Sequence, residues 1–274
     1  MLRKVGTARR VLKDKGWRGV AAVLSEKARA ACTSLYYWCR YHLTGKIVEL
    51  KGNLVALDGC LFSVDHPAIS TAIKGCVFIG EYERPERMML RKFIEPKWPL
   101  IELGGCIGVV SCLANKVLLN PRDHIVVEAN ADLIPLIEKN RDRNGCRFTV
   151  LHGAIAYGTN EVDFHVERCD VVKSRLGLGT GESIKVPTIS LQRIIDEYGF
   201  ERCNLICDIE GAEIDLINNE ASLLSSRVST LIIEIHKDLL QEQDLIALFS
   251  KLKRMGFSEV QKESDTYVFR NASM

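Results

Sequence analysis

No stretch of this sequence runs for about eighteen consecutive apolar residues, the length a membrane-spanning helix needs, so no transmembrane span is expected. The opening residues, Met1-Leu2-Arg3-Lys4-Val5-Gly6, lack the apolar block of a secretory signal. None of the ten cysteines stands in a Cys-x-x-Cys pair. Most of them (Cys60, Cys76, Cys106, Cys112, Cys207) sit inside apolar patterns, and a chain of 274 residues needs no disulfide staples. They read as reduced core thiols, which places the protein in the cytoplasm. Internal repeats and low-complexity tracts are also missing. What remains is a chain with 47% apolar residues and a formal net charge of only +2. That balance excludes bulk disorder and allows one large α/β domain with an appendage.

The small net charge hides an uneven distribution. Residues 1–46 hold eleven Lys or Arg against two acids, Asp14 and Glu26, so the remainder is net acidic. Three readings of this basic, helical-looking segment stay open. It is a helical cap with a solvated basic face, an organelle presequence, or an amphipathic stretch on an anionic membrane surface. In the last reading Tyr36, Tyr37, Trp38 and Tyr41 sit at headgroup depth, and the protein associates with the cytoplasmic face of a membrane. Nucleic acid is not an expected partner, because the basic residues do not recur in the main domain.

Residues 47–80 are expected to form a small antiparallel β appendage. Short runs (Ile47–Leu50, Leu54–Leu57, Leu61–Val64) are separated by Gly52-Asn53 and by Asp58-Gly59, both hairpin signals. From residue 81 to 274 strand-like and helix-like stretches alternate with short links. Expected strands end at Glu102, Glu128, Leu151, Asp208 and His236, and two more follow near 258–260 and 266–269. This alternation predicts a doubly wound, mostly parallel sheet with ligands at its carboxyl edge. The glycine-rich, polar stretch 174–181 is a candidate lid over an acceptor.

The chemistry centres on Glu102-Leu103-Gly104-Gly105-Cys106-Ile107-Gly108, a glycine turn between a buried strand and a helix. Glycines there let a ligand approach the backbone. Four expected strands carry an acid at or near their ends: Glu102, Glu128, Asp208 and Glu234. A carboxylate inside an apolar strand is costly unless paired, so Glu102 points to a ligand with a donor or a positive charge. Glu128 follows the glycine turn at the interval where nucleotide-binding folds place a ribose-binding acid. The spacing Gly104-Gly105-x-x-Gly108 departs from the pattern of dinucleotide sites, and a pyrophosphate would face the Glu102 carboxylate. Both disfavour a nicotinamide oxidoreductase. S-adenosylmethionine carries an ammonium and a sulfonium and no phosphate, so an acid-lined pocket suits it better.

Several ordered motifs carry a family resemblance. The stretch 102–108 resembles the D-V-G-A-N-I-G loop of the FkbM-type methyltransferases, and Val127-Glu128-Ala129-Asn130 resembles their F-E-P-N. Val186–Leu191 is similar to the stretch before their fourth strand. Asp208-Ile209-Glu210-Gly211-Ala212-Glu213 resembles D-V-E-G-A-E, and Glu234-Ile235-His236 resembles E-V-H. Glu102 stands in place of the usual Asp, and Cys106 in place of the usual Asn. The resemblance implies a class I, Rossmann-like methyltransferase fold with a seven-stranded sheet. It also implies S-adenosylmethionine as cofactor and hydroxyls of sugars, glycolipids or related small molecules as acceptors. The expected cofactor contacts are Glu102, Gly104, Gly105, Gly108, Glu128, Ala129, Ala154 and Asp208. The expected catalytic group is His236 as base, with Asp208 and Glu210 beside it. Asp208, Glu210, Glu234 and His236 alternatively offer ligands for a divalent cation, although their spacing is not specific to a metal site. A protein that binds the cofactor without turnover, or only a membrane or protein partner, is the non-enzymatic alternative.

Overall fold

The computed structural model describes residues 32–33, 35–166, 175–176 and 182–272. Its centre is a seven-stranded sheet in the order β12-β13-β11-β10-β3-β4-β5. The strands are β3 (Leu100–Leu103), β4 (His124–Glu128), β5 (Thr149–His152), β10 (Cys203–Cys207), β11 (Val228–Glu234), β12 (Phe257–Glu263) and β13 (Thr266–Asn271). Strands β5, β4, β3, β10 and β11 run parallel, while β13 is antiparallel to β11 and β12 to β13. This is the expected doubly wound, Rossmann-like class. Every residue of β3, β4 and β10 is buried, which is why they read as continuous apolar runs.

Alternation along the strands divides the core into two layers. Leu100, Val126, Ile206, Ile232 and Val268 face α3 (Arg84–Phe93), α4 (Val109–Asn115) and α5 (Ile134–Arg143). Ile101, Leu103, Ile125, Leu205, Leu231 and Ile233 face α6 (Leu191–Tyr198), α8 (Ala221–Arg227) and α9 (Glu242–Arg254). Between the sheet's edge and α8 lies the short α7 (Glu213–Asn219).

The first layer also takes up the segment ahead of the sheet. Strands β1 (Leu54–Leu57) and β2 (Cys60–Ser63) form the hairpin expected at Asp58-Gly59, where both turn residues have positive φ (48° and 82°). Asn140 of α5 clamps this hairpin to the glycine loop, donating to the carbonyls of Ser63 and Ile107 and accepting from the Ser63 amide. The expected strand at Ile47–Leu50 is instead the end of a helix, α1, over 35–50. Packing explains the difference. Tyr41, Gly45 and Val48 recur at helical spacing and face the body of the protein, and that burial outweighs the β preference of Ile and Val. A further helix, α2 (Thr71–Phe78), begins where the Ser70 side chain accepts from the Ile73 amide.

A second, four-stranded sheet lies in the order β6-β9-β7-β8, from Ala154–Ile155, Glu182–Ile189, Glu161–Val166 and Arg175–Leu176. Apart from β8, the expected lid at 174–181 lies outside the described residues, as does the basic stretch 1–31.

Candidate active site

The sheet reverses its winding between β3 and β10, the place where open α/β sheets bind ligands. There the parallel ladder runs one residue beyond the strands: the Gly104 amide donates to the Val127 carbonyl and the Asp208 amide to the Leu103 carbonyl. Gly104 has φ +95°, and a Cβ added to it would lie 1.9 Å from the carbonyl oxygen of Asp208. The loops after β3 and β10 therefore meet backbone to backbone, as only glycine permits.

A cavity of about 420 Å³ opens over this point. Gly104, Cys106, Glu128, Ala129, Ala154 and Asp208 line it, together with Glu210, Glu234 and His236. Gly105 and Gly108 do not. Their missing side chains make room for Val126 and Ile137 behind the loop, and Gly108, at φ +77°, starts α4. Their role is to let the loop pack.

Glu102 departs most from expectation. It is fully buried and turned away from the cavity. Its Oε1 accepts from Ser111 Oγ at 2.6 Å, and its Oε2 lies 3.3 Å from His124 Nε2. Asn115 Nδ2 lies 3.3 Å from His124 Nδ1, on the side of the ring away from Glu102. Ser111 and His124 face the carboxylate inside the protein, and Oε2 has no hydrogen-bond partner. The placement behind the cavity gives no support to the ligand contact expected of Glu102.

Glu128, in contrast, ends β4 at the cavity wall. Its Oε2 accepts from the Cys106 amide (2.8 Å) and its Oε1 from the Asn130 amide (2.7 Å). Burial pushes its carboxyl up to about 7 against the pull of those amides. Asn130 beside it is buried, lines the cavity and has an Nδ2 without a hydrogen-bond partner. Cys106 holds a positive φ of 45°, a region that Asn tolerates more readily than Cys. Its thiol accepts from Tyr82 Oη at 3.1 Å, and burial raises it well above the ordinary thiol range.

On the opposite wall His236 is surrounded by carboxylates. Nδ1 lies 2.9 Å from Glu213 Oε1, while Nε2 lies 3.3 Å from Glu210 Oε2 and 3.7 Å from Asp208 Oδ1. Burial lowers its pKa, but the Glu213 hydrogen bond and the charges of Glu210, Glu213 and Asp208 outweigh that and carry it up to about 10. The surrounding carboxylates favour the protonated ring, a setting that speaks against the role of base expected of His236. Asp208 is pushed up to about 7, first by burial and then by the Glu210 charge, with His236 opposing. Glu234 is pushed to about 8 by burial and by Asp208. Asp208 Oδ1 is shielded from solvent and has no hydrogen-bond partner.

Of the four groups that could hold a divalent cation, Asp208, Glu234 and His236 present ligand atoms within 4.8 Å of one another. The imidazolium, however, already supplies a positive charge to these carboxylates.

From the sequence, Glu213 reads as a structural partner of turn amides or of the helix start. Glu81 and Tyr82 read as a turn that either touches a ligand or is an exposed helix entry, and Asn130 has no assigned role. Glu213 is buried, accepts from the Gly211 amide and orients His236. Glu81, Tyr82, Glu83 and Glu86 all line the cavity. Glu83 holds a positive φ of 46° ahead of Pro85 at the start of α3.

Residues 102–259 match the family model of the methyltransferase FkbM domain. A search of curated proteins returned no match. Among solved structures, an O-methyltransferase from Bacillus cereus in complex with SAH shares 12% identity over 67% of this chain and 77% of its own, with a TM-score of 0.42. A putative SAM-dependent methyltransferase from Streptococcus mutans shares 8% over 79% of this chain and 54% of its own, with a TM-score of 0.48. A ribosomal protein L11 methylase from Lactobacillus delbrueckii shares 11% over 69% and 77%, with a TM-score of 0.39.

Proposed function

The chain belongs to the methyltransferase FkbM family, and from that premise we propose that it transfers the methyl group of S-adenosylmethionine to a hydroxyl of a sugar, glycolipid or related small molecule. The cavity's own residues fit that cofactor. Glu128 ends at the cavity wall, and its carboxylate oxygens are acceptors of the kind that ribose hydroxyls need. The unpartnered Asn130 Nδ2 supplies a donor. Asp208, Glu210 and Glu234 line the cavity with carboxyl groups whose ionised forms suit a sulfonium and an ammonium. When bound, the cofactor supplies an electrophilic methyl group on a positively charged sulfur.

The protein's part is positioning and removal of a proton. Methyl transfer from a sulfonium disperses charge, so holding the reactants in line contributes most of the acceleration. The acceptor hydroxyl must lose its proton, and Asp208 takes it. This assignment rests chiefly on one observation: Asp208 Oδ1 is shielded, unpartnered and in the cavity wall. A carboxylate titrating near 7 is matched to that task at neutral pH. His236 stays protonated and favours the ionised form of Asp208, and Glu213 orients it. The protein's own imidazolium serves as the cation of the cluster, so treatment with a chelator is expected to leave turnover unchanged.

The test is production of S-adenosylhomocysteine with a panel of hydroxyl-bearing glycosides, using wild type and Asp208→Asn. Acceptor-dependent product from the wild type, lost in the variant, supports the reading. Cofactor binding with no turnover on any acceptor favours the non-enzymatic alternative.

A further inference from the structure

The outer face of α1 is largely apolar where a monomer's surface would ordinarily be polar, with Lys46, paired to Glu49, the charged residue within it. Leu35, Tyr36, Leu43, Ile47 and Leu50 fall within an arc of about 120° at 100° per residue. They are exposed, with Tyr36 at 61%, Leu43 at 68% and Leu50 at 88%. The inner face of the same helix is fixed. A Cβ on Gly45 would sit 1.8 Å from the Thr71 carbonyl oxygen, and one on Gly75 1.9 Å from that of Tyr41, so α1 and α2 touch backbone to backbone. Val48 is fully buried in the first core layer. An apolar stripe on a rigidly seated helix is a docking surface.

Charge identifies what it docks on. The 31 residues before the helix hold nine Lys or Arg and two acids, and Arg40 and Lys46 lie on α1 itself. From residue 47 onward, 26 basic residues face 33 acidic ones. The net charge is thus positive only at the end of the chain that carries the apolar stripe. Apolar and aromatic side chains combined with a basic segment match a bilayer containing anionic lipid, in which the stripe enters the acyl boundary and the basic residues meet the headgroups. A second copy of this chain brings the same positive charge to the contact, which disfavours self-association.

We propose that the outer face of α1 seats the protein on an anionic membrane surface. The location has a consequence for the site, and this step rests on the methyltransferase reading above. Arg40 Nη1 donates to Glu81 Oε1 at 2.7 Å, and the Tyr41 hydroxyl donates to Glu81 Oε2. Glu81 lines the cavity, as do Ile73 and Cys76 of α2. The docking helix is therefore bonded to the wall of the site, and acceptors carried in the leaflet lie within its neighbourhood.

The experiment is co-sedimentation of the full chain with vesicles, with S-adenosylmethionine titration of the same preparations as a separate readout. Vesicles of phosphatidylcholine with about one-third phosphatidylserine are expected to pull the protein down, and vesicles of phosphatidylcholine alone are not. The double variant Leu43→Asp/Leu50→Asp, changed only at exposed positions, is expected to lose about tenfold or more of this binding while keeping its melting temperature and cofactor affinity. Failure of the wild type to bind anionic vesicles overturns the proposal, as does undiminished binding by the variant. A dimer in sedimentation velocity that the same variant abolishes overturns it in favour of self-association. Cofactor binding without vesicle binding removes the membrane surface alone, whereas vesicle binding without cofactor binding removes the methyltransferase reading alone.

Discussion

Asp208 and His236 lie 3.7 Å apart and divide the work that sequence reasoning gave to one residue. Asp208→Asn is expected to lower kcat by about 10²–10⁴-fold, the usual size of a general-base contribution, with a smaller change in cofactor affinity. His236→Ala separates the two assignments. Loss of the imidazolium raises the Asp208 pKa, so the acid limb of the pH–rate profile moves to higher pH and activity returns in alkaline buffer. If His236 were the base, activity would be lost at every pH. Glu102 provides a second test. Glu102→Ala leaves Ser111 without its buried acceptor and is expected to cost about 1–3 kcal/mol in denaturant unfolding. The fraction that folds should bind S-adenosylmethionine normally. The order of motifs made Glu128, Asp208 and His236 legible in the sequence. The inward turn of Glu102 was not, because its partners sit on a following helix and a neighbouring strand. Only the sheet's register brings Ser111 and His124 to it.

Among the elements, continuous apolar runs made β3, β4, β10 and β11 legible, and Ser190 followed by a helical pattern did the same for α6. Helix α2 and the end of α1 were not. Ile47, Val48, Ile73 and Val77 among their apolar residues favour strands, and the helices touch through Gly45 and Gly75. Gly75→Ala tests that contact. Its Cβ would press on the Tyr41 carbonyl, so about 1–3 kcal/mol of stability should be lost, the range of overpacked cores. Hydrogen exchange over 35–50 should accelerate, because α1 is lifted from its seat. Unchanged protection there would mean that other contacts hold α1.

At the scale of the whole molecule the clustered carboxylates set a pH dependence. Folding raises Glu128 from 4.5 to about 7, Asp208 from 3.8 to about 7, and Glu234 from 4.5 to about 8. The folded state holds these protons more tightly, so the stability they contribute is complete below about pH 4 and declines as the pH rises through 7 to 8. His236, raised from 6.5 to about 10, contributes stability that is complete below 6.5 and is lost as the pH rises through 10. The free protein's melting temperature should therefore fall between pH 6 and pH 9. A cationic cofactor prefers the ionised carboxylates, so the rise in melting temperature it produces should grow over the same interval. The central claim is that this acid-lined cavity is the S-adenosylmethionine site. It is tested most directly by calorimetric titration of the wild-type protein and of Glu128→Ala at pH 8. Saturable binding at one site, weakened in the variant by about 1–3 kcal/mol, or roughly 5–150-fold, is the predicted result. No binding by the wild type, or equal binding by the variant, would contradict it.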